Sequence, residues 1–349
     1  MKSSYREEDV TLLLKDITGQ VQPLETKERE RRIQSGIHYC EMLPAEYVPT
    51  SQYIETYKRA LQEEADDTAA AVRQCGDKII KEKGRDVVLV SLARAGLPIG
   101  ILLKWYLKKQ YDLDVPHYGI SIIRGRGIDR NAMNYLLSLY PASSLQMVDG
   151  WIGKGAILQE LRRELRDFPD VSTELAVLSD PANLTRLCGT HEDLLIASSC
   201  LNCTVSGLVS RTFLRPDIIG PEDFHGAAFY EELKEQDRSY EFLNAIARRL
   251  DHAPPLPEKV LHHSGLEETN AIAAHFNVSD INFVKPGIGE ATRVLLRRLP
   301  WKVLVRQGEE SSCELKHLYQ LAREKGVEVE SYPLENYKAC GIIKKLADA

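Results

Sequence analysis

Residues 147–157, MVDGWIGKGAI, place three glycines (Gly150, Gly153, Gly155) within six positions between two apolar stretches. Upstream, Leu145, Met147 and Val148 fit a short buried strand; downstream, Ile157, Leu161, Leu165 and Phe168 recur at helical spacing. The order is strand, acid (Asp149), glycine-rich turn, helix. The first turn of a helix leaves backbone N–H groups unpaired and carries partial positive charge, and glycine lets an anion reach them. A tight connection that needs glycine only for its dihedral angles would look the same.

Outward from this stretch the alternation recurs. DVVLVSL (86–92) is a continuous apolar run of the kind that fits a parallel strand covered on both faces, and it leads into the helix GLPIGILLKWYLKKQY. VPHYGISII (115–123), LQMVDG (145–150), a helix over about 156–168, ELAVLSD (174–180), DLLIASS (193–199) and NCTVSGLVSRTFL (202–214) continue the series. Together with a helix over 55–83 they predict an α/β domain with a doubly wound parallel sheet across 36–255. The charged stretch 1–35 is expected to be a solvated, partly helical lead-in, and 256–265, next to DHAPPLPEKV, to be a linker. Residues 266–349 read as a smaller α/β/α unit that closes on the helix NYKACGIIKKL.

The formal charge of −6 and a pI near 5.9 do not suggest a protein that coats nucleic acid over its whole surface, and leave room for a local basic face. Seven cysteines, an odd number without disulfide spacing, and an N-terminus with no apolar core imply a reducing cytoplasm. The run Leu97–Leu107 is broken by Gly100 and Lys104, so no membrane partner is expected.

In open α/β sheets, ligands bind where the strand-to-helix loops converge. SLARAGLPIG (91–100) offers Ser91, Arg94 and Gly96 to an anion, and RGRGIDRNAMNYLL (124–137) brings Arg124 and Arg126 on a loop that reads as a lid. The third loop carries Asp149 and Ile152, Gly153, Lys154, Gly155 and Ala156. A sugar bearing phosphate at one end and pyrophosphate at the other, such as phosphoribosyl pyrophosphate, would use two cradles with a carboxylate between them. At these motifs the chain resembles the type I phosphoribosyltransferases. More closely, VSLARAGLPIG, ISIIRGRGID, VDGWIGKGAI and CLNCTVSGLVSRT together resemble the phosphoribosyltransferase-like proteins of tellurite-resistance and stress gene clusters, over roughly 36–250. Gly150 stands where the enzymes usually carry a second acid, and Lys154 and Ala156 stand where a threonine is usual.

The resemblance implies a phosphoribosyltransferase using Mg²⁺. Amides of Ile152 to Ala156 would hold the 5′-phosphate, Asp149 the ribose hydroxyls and the metal, Ser91, Arg94 and Gly96 the pyrophosphate, and Arg124 and Arg126 the lid. The acceptor is a base or amine, and a homodimer is compatible with it. Gly150 favours a rival, a non-catalytic sensor that binds phosphoribosyl pyrophosphate or a nucleotide and regulates RNA engagement. A third reading is peptide hydrolysis: HYCEML puts His38 beside Cys40, and the resembling family carries a cysteine-protease label, StiP, in some naming.

KPGIGEATRVLLRRLPWKVLVRQG (285–308) holds six basic residues against the single acid Glu290. Its glycine-rich helix start, with Lys285, Gly287, Gly289, Glu290, Thr292, Arg293 and Arg297, suits phosphates or an unstacked base. With CGIIKKL, most of 266–346 resembles the Pelota and ribosomal kink-turn-binding family, an α/β/α sandwich, which implies RNA as a partner. Cys200 and Cys203 form a CxxC without a second pair and read as structural; Arg211 is a further candidate anion contact, and His262 and His263 read as solvated.

Overall fold

A computed structural model describes residues 1–260 and 263–345 as a mixed α/β protein with parallel sheets; His262 lies outside the described residues. The elements run β1 (Thr11–Leu12), β2 (Lys15–Asp16), α1 (Thr26–Gln34), α2 (Ser51–Lys83), β3 (Val88–Leu92), α3 (Gly96–Tyr111), β4 (His117–Ile120), β5 (Ile122–Ile123), β6 (Gly127–Ile128), α4 (Arg130–Leu139), β7 (Leu145–Val148) and α5 (Ala156–Glu164). There follow β8 (Val177–Ser179), β9 (Cys188–Thr190), β10 (Gly226–Ala227), α6 (Ser239–Ala247), α7 (Gly265–His275), β11 (Val284–Pro286), α8 (Ile288–Arg297), β12 (Pro300–Arg306), α9 (Lys316–Lys325), β13 (Glu328–Tyr332) and β14 (Ala339–Ile343).

The first sheet has the order β1-β4-β3-β7, all parallel. A parallel bridge between Val148 and Ala176 leads from β7 to the β8–β9 pair. Every residue of β3 is buried because both faces are covered. Leu89 packs with α2 and α3 residues such as Val72 and Leu97, while Val88 and Val90 pack with Met133 of α4 and Leu161 of α5. The alternation of side chains along β3 thus feeds two cores, one on each face of the sheet.

Several expectations are corrected. The first 35 residues are not a solvated lead-in: Val10, Leu13, Leu14 and Ile17 are buried, and β1 forms the edge of the sheet beside β4. Charge density conceals the short apolar run VTLLL that docks there. Residues 193–199 form no strand, and the β pairing of 202–214 is confined to the isolated bridges Val209–Phe229 and Phe213–Gly226. The expected closing helix is instead β14, the buried inner strand between β11 and β12. A short run such as ACGII has no helical or strand period of its own, so it is read by its burial on both faces, which only the fold supplies.

The C-terminal sheet has the order β11-β14-β12-β13, with β12 parallel to β13 and antiparallel to β14. Its helix α8 docks against the first unit. Asp193, buried, accepts Ile288 N–H at 3.1 Å and Lys338 N–H at 2.8 Å, so a side chain from the first unit caps the start of α8. Tyr337 Oη donates to Gly153 O at 2.7 Å and Lys154 Nζ donates to Val284 O at 2.8 Å. The two units are thereby joined at the glycine-rich turn.

Candidate active site

The turn after β7 is built by close approach. Gly155 sits at φ +85°, and a Cβ there would lie 2.4 Å from Leu184 Cδ1; a Cβ on Gly96 would meet Val148 O at 2.6 Å. These contacts bring the starts of α3 and α5 close to the end of the sheet. Between this turn and the β11–α8 junction lies a cavity of about 300 Å³, lined among others by Tyr39, Arg124, Asp149, Lys154, Arg211 and Lys285. Glu290, Arg293 and Arg298 close its other side.

Cations dominate this lining. Burial, with Lys154 and Arg124 nearby, pushes Lys285 down to about 7 despite Glu290; burial and Arg124 push Lys154 down to about 8. Burial and Arg29 likewise bring Arg211 down to about 10. Burial raises the Asp149 carboxyl to about 6, although Gly150 N–H donates to it at 2.8 Å. Burial would also raise Glu290, but Arg293 and Lys285 outweigh it and hold Glu290 below its ordinary value. Arg293 pairs with Glu290 at 3.1 Å and lies 4.3 Å from the Trp151 ring centroid. Such an excess of desolvated cations favours an anionic group.

Of the residues chosen from sequence, Arg124, Asp149, Ile152, Gly153, Lys154, Gly155 and Ala156 line the cavity together with Lys285, Glu290 and Arg293. Residues assigned to two different ligands thus face one space. Ser91, Arg94 and Gly96 do not reach it. Ser91 Oγ hydrogen-bonds His117 Nε2 at 2.7 Å, and Arg94 donates to Glu46 at 2.7 Å and to Val209 O at 2.6 Å, all buried. Arg126 is exposed and paired with Glu41 at 2.7 Å, while Arg124 donates to Asn282 at 2.7 Å. In the C-terminal set, Thr292 bonds His317 at 2.7 Å, and Arg297 donates to Leu201 O at 2.9 Å. Gly287 lies against Asp193 and Gly289 against Trp151, so Arg297, Gly287 and Gly289 turn toward the first unit, whereas Thr292 turns inward to α9.

A thiol and an imidazole lie outside the cavity lining, next to its wall residues Tyr39 and Arg124. A 3₁₀ turn over Tyr39–Glu41 is capped by His38, whose Nδ1 accepts Cys40 N–H at 3.3 Å and lies 3.0 Å from Cys40 Sγ. His38 Nε2 lies 3.0 Å from Arg124 O. One tautomer serves all three contacts, with the proton on Nε2 and a lone pair on Nδ1 facing the thiol. Burial pushes the Cys40 thiol up to about 11 and lowers His38, so the resting pair is neutral. Tyr39 Oη accepts Arg124 N–H at 3.0 Å, tying the pair to the cavity wall. All seven cysteines are free; Cys200 and Cys203 are buried.

A second group went unnoticed in the sequence: Asp180, Cys188 and His191, whose donor atoms lie within 4.8 Å of one another. The signal was a C-x-x-H spacing at Cys188 and His191, eight residues after an acid at a strand end. Asp149 belongs to no such group of three among the described residues.

Residues 3–247 match the family model described as tellurite-like stress resistance cysteine protease StiP, and residues 263–345 match one described as PELOTA RNA binding domain. A curated relative from Acinetobacter baylyi (strain ATCC 33305 / BD413 / ADP1), named Cysteine protease StiP, is 35% identical over 98% of this chain and 94% of its own length. Among solved structures, a hypoxanthine-guanine phosphoribosyltransferase from Bacillus anthracis str. 'Ames Ancestor' is 14% identical over 41% of this chain and 75% of its own, with a TM-score of 0.24. These findings overturn the expectation of a phosphoribosyltransferase: both the relative and the family spanning the first unit are named as cysteine proteases. Among the described residues, no helix is long and apolar enough to cross a membrane.

Proposed function

The chain belongs to the StiP family, and on that premise we propose that it is a thiol peptidase in which Cys40 is the nucleophile and His38 its base. The observation that carries this reading is the 3.0 Å approach of Cys40 Sγ to His38 Nδ1, with the far nitrogen held by Arg124 O. A nucleophile within hydrogen-bond reach of a base that is itself oriented is the arrangement thiol hydrolysis needs.

In this mechanism Nδ1 takes the thiol proton as Sγ attacks the scissile carbonyl carbon. The tetrahedral adduct collapses, His38 returns the proton to the leaving amine, and a thioester remains. Water, deprotonated by the same imidazole, then attacks the thioester, releasing the acid and restoring the thiol. Arg126, which favours the thiolate electrostatically, stabilises the charge that develops on sulfur. Cys40 is only 1% exposed, with Leu214 O 3.5 Å from its sulfur, so substrate enters as the segment around Leu214 moves aside. The adjoining cationic cavity suits a substrate with an acidic side chain near the scissile bond.

The test is hydrolysis of an acidic peptide library by the full chain, read by mass spectrometry, with Cys40→Ser and Cys188→Ser compared. Loss of cleavage in Cys40→Ser alone supports the assignment. Cleavage that survives in Cys40→Ser, or that disappears only in Cys188→Ser, refutes it.

In the same reading the first sheet is doubly wound, since helices cover both its faces, and the chain divides near 256–265. Residues 263–345 hold RNA, an assignment supported by their family match and by Lys285 and Arg293 at the cavity. Arg293→Ala in the full chain is expected to weaken binding of a fluorescent structured RNA by about 5- to 50-fold and to flatten the slope of log K against log salt by roughly one. An unchanged slope in a polarisation titration would remove Arg293 from the RNA contacts.

A further inference from the structure

We propose that Asp180, Cys188 and His191 form a binding site for one divalent transition metal of the Zn²⁺ class, separate from the Cys40 centre. The site is made by strand pairing. β8 and β9 run parallel with Ser179 opposite Thr190 and Val177 opposite Cys188, so the acid that follows β8 meets the thiol of β9 and the imidazole just beyond it.

Three features distinguish this group from an accidental cluster. First, Cys188 Sγ lies 3.5 Å from His191 Nε2. Zinc–sulfur and zinc–nitrogen legs of about 2.3 and 2.0 Å, opened to the tetrahedral angle, span about 3.5 Å, so a metal fits without moving either residue far. Second, His191 Nδ1 lies 2.9 Å from Asp180 O, the contact that fixes the proton on Nδ1 and leaves Nε2 free toward the sulfur. Ligating histidines characteristically have their other nitrogen bonded in this way. Third, Asp180 is fully buried yet half satisfied: Oδ2 accepts the N–H groups of Leu184 at 2.7 Å and Thr185 at 2.8 Å, while Oδ1 has no partner. A buried carboxylate oxygen without a donor is costly unless a cation completes it.

Mixed sulfur, nitrogen and oxygen donors suit Zn²⁺ over Ca²⁺ or Mg²⁺, which take oxygen. His191 is partly exposed, which leaves the fourth position to solvent. The metal would anchor the segment on which the C-terminal unit sits: Leu184 packs on Gly155, and Ala182 O accepts Gly265 N–H at 3.1 Å.

The experiment uses the purified full chain, stripped with chelator and titrated with Co²⁺ and with Zn²⁺. The expected results are one metal per chain by elemental analysis, a thiolate-to-cobalt charge-transfer band, and a rise in Tm on adding Zn²⁺. Cys188→Ser should lose the band, and Asp180→Asn should weaken binding at least tenfold; Cys40→Ser, outside the site, should keep both. A band that persists in Cys188→Ser, or equal affinity in the wild type and Asp180→Asn, overturns the assignment. So does a wild type that takes up neither metal. If Cys188→Ser fails to fold, the Asp180→Asn comparison decides by itself.

Discussion

Replacing Cys40 by alanine is expected to lower peptide hydrolysis by at least about 10³-fold, because loss of a nucleophile removes the covalent route and leaves only what binding alone can accelerate. The substitution removes one buried sulfur, and the resulting void is small enough to cost about 1 kcal/mol, so circular dichroism and Tm should stay near wild type. The pH dependence distinguishes this pair from one that rests as an ion pair. His38 lies below its ordinary value because burial disfavours the imidazolium, and Cys40 is pushed up to about 11 by the same cause. Activity should therefore rise as His38 loses its proton, at a pH below the ordinary 6.5, and then hold a plateau through the neutral and mildly alkaline range. Alkylation of the wild-type thiol by iodoacetamide should be slow at pH 6 and climb toward alkaline pH. Fast alkylation at pH 5, the mark of a preformed thiolate, would contradict the neutral pair.

What sequence reveals and what it hides here follow from the range of the interactions. The strand, acid, glycine turn and helix over 145–164 are legible because each rests on neighbours: apolar runs, a residue without Cβ at φ +85°, and helical spacing. The relation of His38 to Cys40 is not. Residues two apart on a strand share a face but stand almost 7 Å apart. The 3₁₀ turn curls Cys40 Sγ back to 3.0 Å from His38 Nδ1, and Cys40 is tied by hydrogen bonds to the backbone of Leu214, far along the chain. Asp180 and Cys188 meet only through the pairing of β8 with β9. The docking of α8 is equally remote from local signals, since its cap, Asp193, is 95 residues upstream. A glycine-rich basic helix start looks like an open ligand face until its neighbour is known.

Arg94 is the sharpest case, and it yields the second large prediction. Glu46→Gln is expected to destabilise the fold by about 3–5 kcal/mol at neutral pH, the cost of leaving a buried cation without its partner. The Glu46 and Arg94 side chains are 3% and 6% exposed and meet at 2.7 Å. Burial alone would raise the Glu46 carboxyl, but Arg94 and Arg297 together outweigh it and hold it below the ordinary value. Arg297, brought down to about 9 by burial and by Arg94, and Arg211 also depend on this carboxylate. A native value below that of the unfolded chain means that the stabilisation is complete above about pH 4.5 and is lost as pH falls through the native value. The gap between wild type and Glu46→Gln in urea unfolding should therefore be widest near neutrality and close in acid. Because the charge left unpaired is what costs, Glu46→Gln combined with Arg94→Met should lose less than the sum of the two single changes, by more than about 1 kcal/mol. Additive losses, or a Glu46→Gln protein within 0.5 kcal/mol of wild type, would show that the buried arginines find their counter-charge elsewhere.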